Sequence, residues 1–234
     1  TYVISNRPDG LNINVDCGST HIEQLQKFVL ENRLDVGFAF DGDADRCLAV
    51  DERGELVDGD QIMAICANFM KKQGTLKKNT VVVTVMSNLG FTLMGEREGL
   101  HIATTQVGDR YVLERMKAEG YNIGGEQSGH IIFLDSNTTG DGMLSALRLL
   151  EVMVTEKKPL SELASIMEVL PQALVNAHVP NDRKTSYNDD SEIRAGIRKL
   201  EDKLAGKGRI LLGPSGTEAV MRVMIEDKNQ HDNE

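Results

Sequence analysis

Apolar residues recur along this chain in two rhythms, at every third or fourth position and in short unbroken runs, and the two alternate over most of its length. INVDCGST reads as a strand, and Ile22, Leu25, Phe28 and Val29 then share one helical face behind an N-cap at Ser19 or Thr20. VGFAF (36–40) is a buried-strand run, and CLAV (47–50) with the turn DERGE predicts a hairpin rim. Asp60 is placed to cap a helix whose Ile62, Ile65, Cys66 and Phe69 align. VVVTV (81–85) is β-branched and predicts a central parallel strand. A helix over 90–98, a strand at 101–105, a helix at 109–118 and a strand at 130–134 follow. The next helix, about 140–156, aligns Met143, Leu147, Leu150 and Val154 as its core stripe. Such alternation is the signature of an α/β layer fold.

Pro159 in EKKPLSEL (156–163) marks a hinge into a short helix, after which the pattern changes. ALVNAHVP alternates as a strand, 191–204 carries Ile193, Ile197, Leu200 and Leu204 on one helical side, and RILLGPSGTEAVMRVMIE predicts two strands around a tight turn. Strand, helix, strand, strand suggests a small separate α+β domain. The polar ending DKNQHDNE is expected to be disordered.

Composition narrows the function classes. With 26 basic against 36 acidic residues the net charge is −10, which disfavours a nucleic-acid binder while leaving room for a small anionic substrate held by a metal or a few arginines. No run approaches the roughly 20 apolar residues of a membrane helix, and the N-terminus has no signal-peptide pattern. Three widely spaced cysteines are read as reduced thiols of a cytoplasmic protein. The chain lacks an initiator Met, so the front of a longer protein is expected to be missing.

Candidate chemistry sits in four loops. Asp41, Asp43 and Asp45 follow an apolar strand as D-x-D-x-D, and three carboxylates this close call for a hard cation, Mg²⁺ or Ca²⁺. An EF-hand is the rival, with Glu52 at its twelfth position, but Arg46 stands where that loop needs Gly and the flanks are strands. Three ligands beside Arg46 better suit Mg²⁺ held against a phosphoryl group. In GGEQSGH, Glu126 is able to accept from two vicinal hydroxyls, Ser128 to add a contact and His130 to act as general acid or base, against the plainer reading of a structural His at a strand start. VGDR sets Gly108, Asp109 and Arg110 at a helix start, either as substrate contacts or as a cap. GPSGTE offers Ser215, Gly216 and Thr217 as an anion nest with Arg222 close behind, although a hairpin turn alone also explains it. Ser19, Thr20 and His21 are read as a helix cap, since neighbouring residues rarely form a working nucleophile–base pair.

DGDADR, VGDRYV, GEQSGH and PSGTE, in this order and at these separations, resemble the α-D-phosphohexomutase superfamily from about Asp9 to Glu226. The resemblance implies three-layer mixed-sheet α/β domains followed by a small α+β C-terminal domain. It divides the chain into 1–57, the end of a metal-binding domain with Asp41, Asp43 and Asp45 as Mg²⁺ ligands; 58–165, a sugar-reading domain; and 166–234, a phosphate-binding domain. The implied reaction interconverts glucosamine 6-phosphate and glucosamine 1-phosphate through a bisphosphate, with Arg46 and Mg²⁺ stabilising the phosphoryl group in flight. GEQSGH favours glucosamine over mannose or glucose phosphates, whose mutases are the nearest alternative. A non-catalytic, Mg²⁺-dependent phosphosugar-binding module is the other.

Two departures from the family pattern stand out. The serine loop that carries the phosphoryl group has no counterpart here, so the missing N-terminal half is the implied partner and this chain alone is expected to be inactive. Relatives often dimerise through that absent first domain, which implies a homodimer of the full-length protein. Gly213 and Ala219 replace the Arg and Pro that usually flank the phosphate loop, which implies weaker phosphate binding.

Overall fold

The computed structural model describes residues 1–180, 189–204, 208–214 and 220–228. They form two compact units, Thr1–Glu168 and Val169–Glu234.

In the first unit, α1 (Glu23–Asn32) leads to a three-stranded antiparallel sheet of β1 (Val36–Phe40), β2 (Cys47–Asp51) and β3 (Leu56–Val57), in that spatial order. Next come α2 (Gly59–Lys72), β4 (Thr80–Thr84), α3 (Leu89–Glu98), β5 (His101–Thr105), α4 (Asp109–Glu119), β6 (Ile123–Gly125), β7 (Ile131–Phe133), α5 (Gly142–Glu156) and α6 (Leu160–Ala164). Their sheet runs β5-β4-β6-β7, with β4 parallel to both neighbours and β7 antiparallel at the edge. The expected central strand therefore lies between two partners. Its two-residue period divides the core. Val81 and Val83 pack with Ile62, Met63, Phe91, Met94 and Leu149, while Val82 turns the other way onto Val112 and Met116 of α4. Fully buried side chains of this size contribute about 1.5–3 kcal/mol each. The result is helices on both faces of a mixed sheet.

Several local expectations are corrected. Residues 13–20, INVDCGST, make turns and bends rather than a strand, with Asn14 and Asp16 in the left-handed region that Asn and Asp tolerate and other residues avoid. α1 starts later than expected, behind Ile22 with no side-chain cap, so neither Ser19 nor Thr20 serves. Asp58, not Asp60, caps α2: it accepts from Gln61 N–H, and Gln61 answers as a capping box. Asp60 is buried inside the first turn and accepts from the Asn88 amide at 2.7 Å. On α5 the aligned Met143, Leu147 and Val154 are 56%, 61% and 74% exposed, and the buried face is Gly142, Ser145, Ala146, Leu149 and Val152. Both stripes have helical spacing; only the docking of α5 against α2 decides between them.

The second unit holds β8 (Gln172–His178), α7 (Ser191–Leu204), β9 (Gly208–Pro214) and β10 (Val220–Asp227), in an antiparallel sheet of order β8-β10-β9. This is the expected strand, helix, strand, strand. Glu226, wholly buried, is matched by Arg209 and Gln172. Residues 229–234 of the polar ending lie outside the described residues. Among the described residues no helix is long and apolar enough to cross a membrane.

Candidate functional site

The acidic loop is the connection between β1 and β2, residues 41–46. Ala44 takes a positive φ of 58°, which curls the loop back so that Ala44 N–H bonds to Asp41 C=O and Arg46 N–H donates to Asp41 Oδ1 at 3.2 Å. One carboxylate oxygen each from Asp41, Asp43 and Asp45 then lies within 4.8 Å of the others. Two charges at such a distance repel by about 3 kcal/mol at an effective dielectric near 20. Arg46 offsets part of this, its Nε standing 3.8 Å from Asp41 and 3.9 Å from Asp45. Asp45 Oδ1 and Arg46 Nε are both buried without a hydrogen-bond partner among the described residues. An oxygen-only donor set, whose buried Asp45 Oδ1 has the Arg46 ion pair but no hydrogen bond among the described residues, fits a hard divalent cation such as Mg²⁺. Glu52, the residue an EF-hand would need, is instead taken up by Ser161, whose amide (3.3 Å) and hydroxyl both donate to it.

The GEQSGH loop joins β6 to β7 and lies directly against the acidic loop. Cys47 N–H bonds to Gly129 C=O at 3.1 Å, and Arg46 and His130 form an antiparallel bridge. Gly129 has φ +94°, and a Cβ there would lie 2.4 Å from the Cys47 carbonyl oxygen, so this approach requires glycine. His130 is 4% exposed. Its Nδ1 is 3.0 Å from Asp45 Oδ2, and its Nε2 accepts the Gly140 N–H at 3.1 Å. Both ring nitrogens are therefore engaged within the protein.

Glu126 remains partly exposed. Its Oε1 accepts the Gly108 N–H at 3.1 Å, tying the VGDR turn to the GEQSGH loop, and Ser128 Oγ lies 3.5 Å from its other oxygen. Gln127 faces away and bonds Asp58 at the head of α2. Asp109 is the first residue of α4, exposed, with Gly108 in the N-cap position. Arg110 is exposed and pairs with Glu114 at 2.7 Å, which holds its pKa above the ordinary arginine value. Gly108, Asp109, Arg110, Glu126, Ser128, His130, Arg46 and the three aspartates thus belong to one unit. In the second unit, Arg222 is exposed on β10 opposite Gly213 of β9. Ser215, Gly216 and Thr217, like Ala219, lie outside the described residues.

The segment before α5 carries no recognisable motif, yet it braces both loops. Gly140 N–H reaches His130, and Gly142 N–H bonds to Ala44 C=O at 2.9 Å. The two glycines around Asp141 are its only trace in the sequence.

Comparison with known proteins bears on the whole chain. Two family models match: phosphoglucomutase/phosphomannomutase, alpha/beta/alpha domain III, over residues 58–170, and the C-terminal domain of the same family over 149–234. A phosphoglucosamine mutase of Clostridium tetani is 60% identical over 231 residues, 99% of this chain and 52% of the relative. That of Acetivibrio thermocellus is 61% identical over 228 residues, 97% of this chain and 51% of its own. The chain thus spans about half the length of the curated relatives it matches. Among solved structures, Aspergillus fumigatus N-acetylphosphoglucosamine mutase, crystallised with GlcNAc-6P and magnesium, superposes with a TM-score of 0.73 at 23% identity, over 94% of this chain and 51% of that one. This last likeness is one of fold.

Proposed function

This chain belongs to the α-D-phosphohexomutase superfamily, and from that premise we propose that it is the C-terminal half of a phosphoglucosamine mutase, which interconverts glucosamine 6-phosphate and glucosamine 1-phosphate in the cytoplasm. The observation that carries the reading is the fusion of the acidic loop to the GEQSGH loop, with Asp45 on His130 and Cys47 on Gly129. A site for a cation and a site for a sugar are thereby built on one framework. The domain division at 57/58 and 165/166, and a homodimer formed through the absent first domain, are part of the same proposal.

Asp41, Asp43 and Asp45 would hold Mg²⁺, which when bound supplies positive charge beside a transferring phosphoryl group. Arg46, on the same loop, adds a fixed cation that needs no reorganisation as charge shifts. Glu126, braced by the Gly108 amide, presents a carboxylate oxygen to sugar hydroxyls, with Ser128 alongside. Asp109 and Arg110 are exposed at the start of α4 as further substrate contacts. Ser215, Gly216, Thr217 and Arg222 are assigned to the non-reacting phosphate, and His130 to proton movement or to support of the site. The serine that receives and returns the phosphoryl group would come from the N-terminal half, so this chain alone binds but does not turn over.

The test is to join the chain to its native upstream half and follow glucosamine 1-phosphate formation with Mg²⁺, beside glucose and mannose phosphates. Glucosamine phosphate should be the best substrate, and Asp43→Asn should abolish turnover. Faster turnover of mannose or glucose phosphates would make it a sister mutase. Tight phosphosugar binding without turnover in the completed protein would overturn the enzyme reading.

A further inference from the structure

We propose that Gln127 is a positioning residue that fixes the sugar loop to the head of α2, and that it makes no contact with the sugar itself. The inference rests on the sugar-site reading of the GEQSGH loop given above.

Three observations converge on it. First, residues 126–129 form a tight turn, closed by Gly129 N–H to Glu126 C=O at 3.0 Å, and its two central side chains diverge. Ser128 is exposed, with its Oγ 3.5 Å from Glu126 Oε2, whereas Gln127 Nε2 donates to Asp58 Oδ2 at 3.1 Å. Second, Asp58 divides its carboxylate between two tasks. Its Oδ1 accepts the Gln61 N–H at 3.0 Å and caps α2, which leaves Oδ2 for Gln127. Third, the backbone makes the same connection, since Gly59 N–H bonds to Gln127 C=O at 3.0 Å. A Cβ at Gly59 would fall 2.2 Å from the Glu126 carbonyl oxygen and 2.7 Å from the Gly129 nitrogen, so the first turn of α2 lies flat against the loop.

The loop is thus held from two sides. The head of α2 grips its middle residue, and Gly108 N–H holds the Glu126 carboxylate at 3.1 Å. With Gln127 turned to α2, Glu126 and Ser128 are the side chains left to meet a sugar. Misplacing such groups by about 1 Å costs about 100-fold in rate. The third letter of GEQSGH therefore acts on the substrate through Asp58, 69 residues earlier, and not by reading the sugar's amino group.

A reciprocal exchange at neutral pH tests this. Gln127→Glu sets two carboxylates against each other at the head of α2 and should free the loop. Adding Asp58→Asn offers the new carboxylate an amide donor and keeps a good helix cap, so the double variant should recover. The first readout is amide hydrogen exchange in the 234-residue chain, which needs no turnover. The Gly59 amide should exchange about 10-fold faster in Gln127→Ala and Gln127→Glu and near the wild-type rate in the double variant, with the β4 amides unchanged throughout. The second readout uses the chain joined to its upstream half. There KM for glucosamine 6-phosphate should rise about 10-fold in both single variants and fall back in the double one, with kcat less affected. The preference for glucosamine over glucose phosphates should hold in all of them. Unchanged Gly59 exchange in both single variants would overturn the proposal. So would a double variant as impaired as Gln127→Glu, or a preference shifted by about 100-fold, the mark of a side chain that hydrogen-bonds the sugar. A completed wild type that binds no phosphosugar would instead overturn the sugar-site reading, and the role of Gln127 in it, whatever the exchange rates show.

Discussion

Gly129→Ala isolates the closeness of the two loops. The backbone there has φ +94°, and the new Cβ would meet the Cys47 carbonyl oxygen at 2.4 Å, its carbon at 2.9 Å and its nitrogen at 3.1 Å. These are backbone atoms of a fully buried β-strand and do not move aside as a flexible side chain would. Holding a non-glycine residue at such a φ costs about 1–3 kcal/mol. Forcing the loops apart adds an overpacking cost of about 1–3 kcal/mol. Loss of the 3.1 Å Cys47–Gly129 hydrogen bond contributes about 1 kcal/mol more. The expected loss is therefore about 5 kcal/mol, a large part of a domain stability of about 5–15 kcal/mol. For a unit of this size that lowers Tm by about 10–20 °C. Gly74→Ala is the matched control, with φ +71° and, among the described residues, nothing within 4 Å of the added Cβ. It carries only the conformational cost, about 1–2 kcal/mol. Calorimetric melting of both variants separates the two contributions. A Gly129→Ala chain no less stable than Gly74→Ala would refute the claim that contact with Cys47 dominates.

Three further outcomes follow from the same physical picture. Leu149→Ala on the buried face of α5 should cost about 2–5 kcal/mol in urea unfolding, whereas Leu147→Ala on its exposed face should stay within about 0.5 kcal/mol; equal losses would contradict the observed docking of α5. Burial pushes both Cys47 and Cys66 up to about 12, so at pH 8 only about one thiol in ten thousand is ionised at either site. Native chain should accordingly react quickly with a thiol reagent at Cys17 alone, and at all three cysteines in denaturant; fast triple labelling of the folded chain would defeat the prediction. Gly213 pairs directly with Arg222, and among the described residues nothing lies within 4 Å of a Cβ there, so Gly213→Arg places a second guanidinium beside Arg222. On the proposed function, the variant joined to its upstream half should bind phosphosugar about 10-fold more tightly, as one charge-assisted bond is worth about 1.5 kcal/mol or more; an unchanged Kd would show that position 213 does not reach the phosphate.

The sequence by itself determined what depends on neighbours along the chain. The β-branched run 81–85 becomes β4, parallel on both sides, because such residues favour a buried strand, and Ile62, Ile65 and Cys66 are buried on α2 as expected, although that helix is buried all round over 62–67 and Phe69 only in part. The D-x-D-x-D spacing was legible because alternate residues of one short loop can bring three carboxylates together. What only tertiary structure decided concerns choices the chain leaves open locally. α5 carries two helical stripes, and packing selected Ala146, Leu149 and Val152 over Met143, Leu147 and Val154. Asp58 and Asp60 are equally good caps in isolation; Asp60 lost because the Asn88 amide, 28 residues away, takes its carboxylate. His130 read either as a general acid or base or as a structural histidine at a strand start, and its environment is set by Asp45, 85 residues earlier, and by an amide of Gly140, which no side-chain pattern announces. Backbone hydrogen bonds between distant loops leave almost no mark on residue type beyond a glycine where two chains must touch, and they arise only when the folded chain brings those loops together.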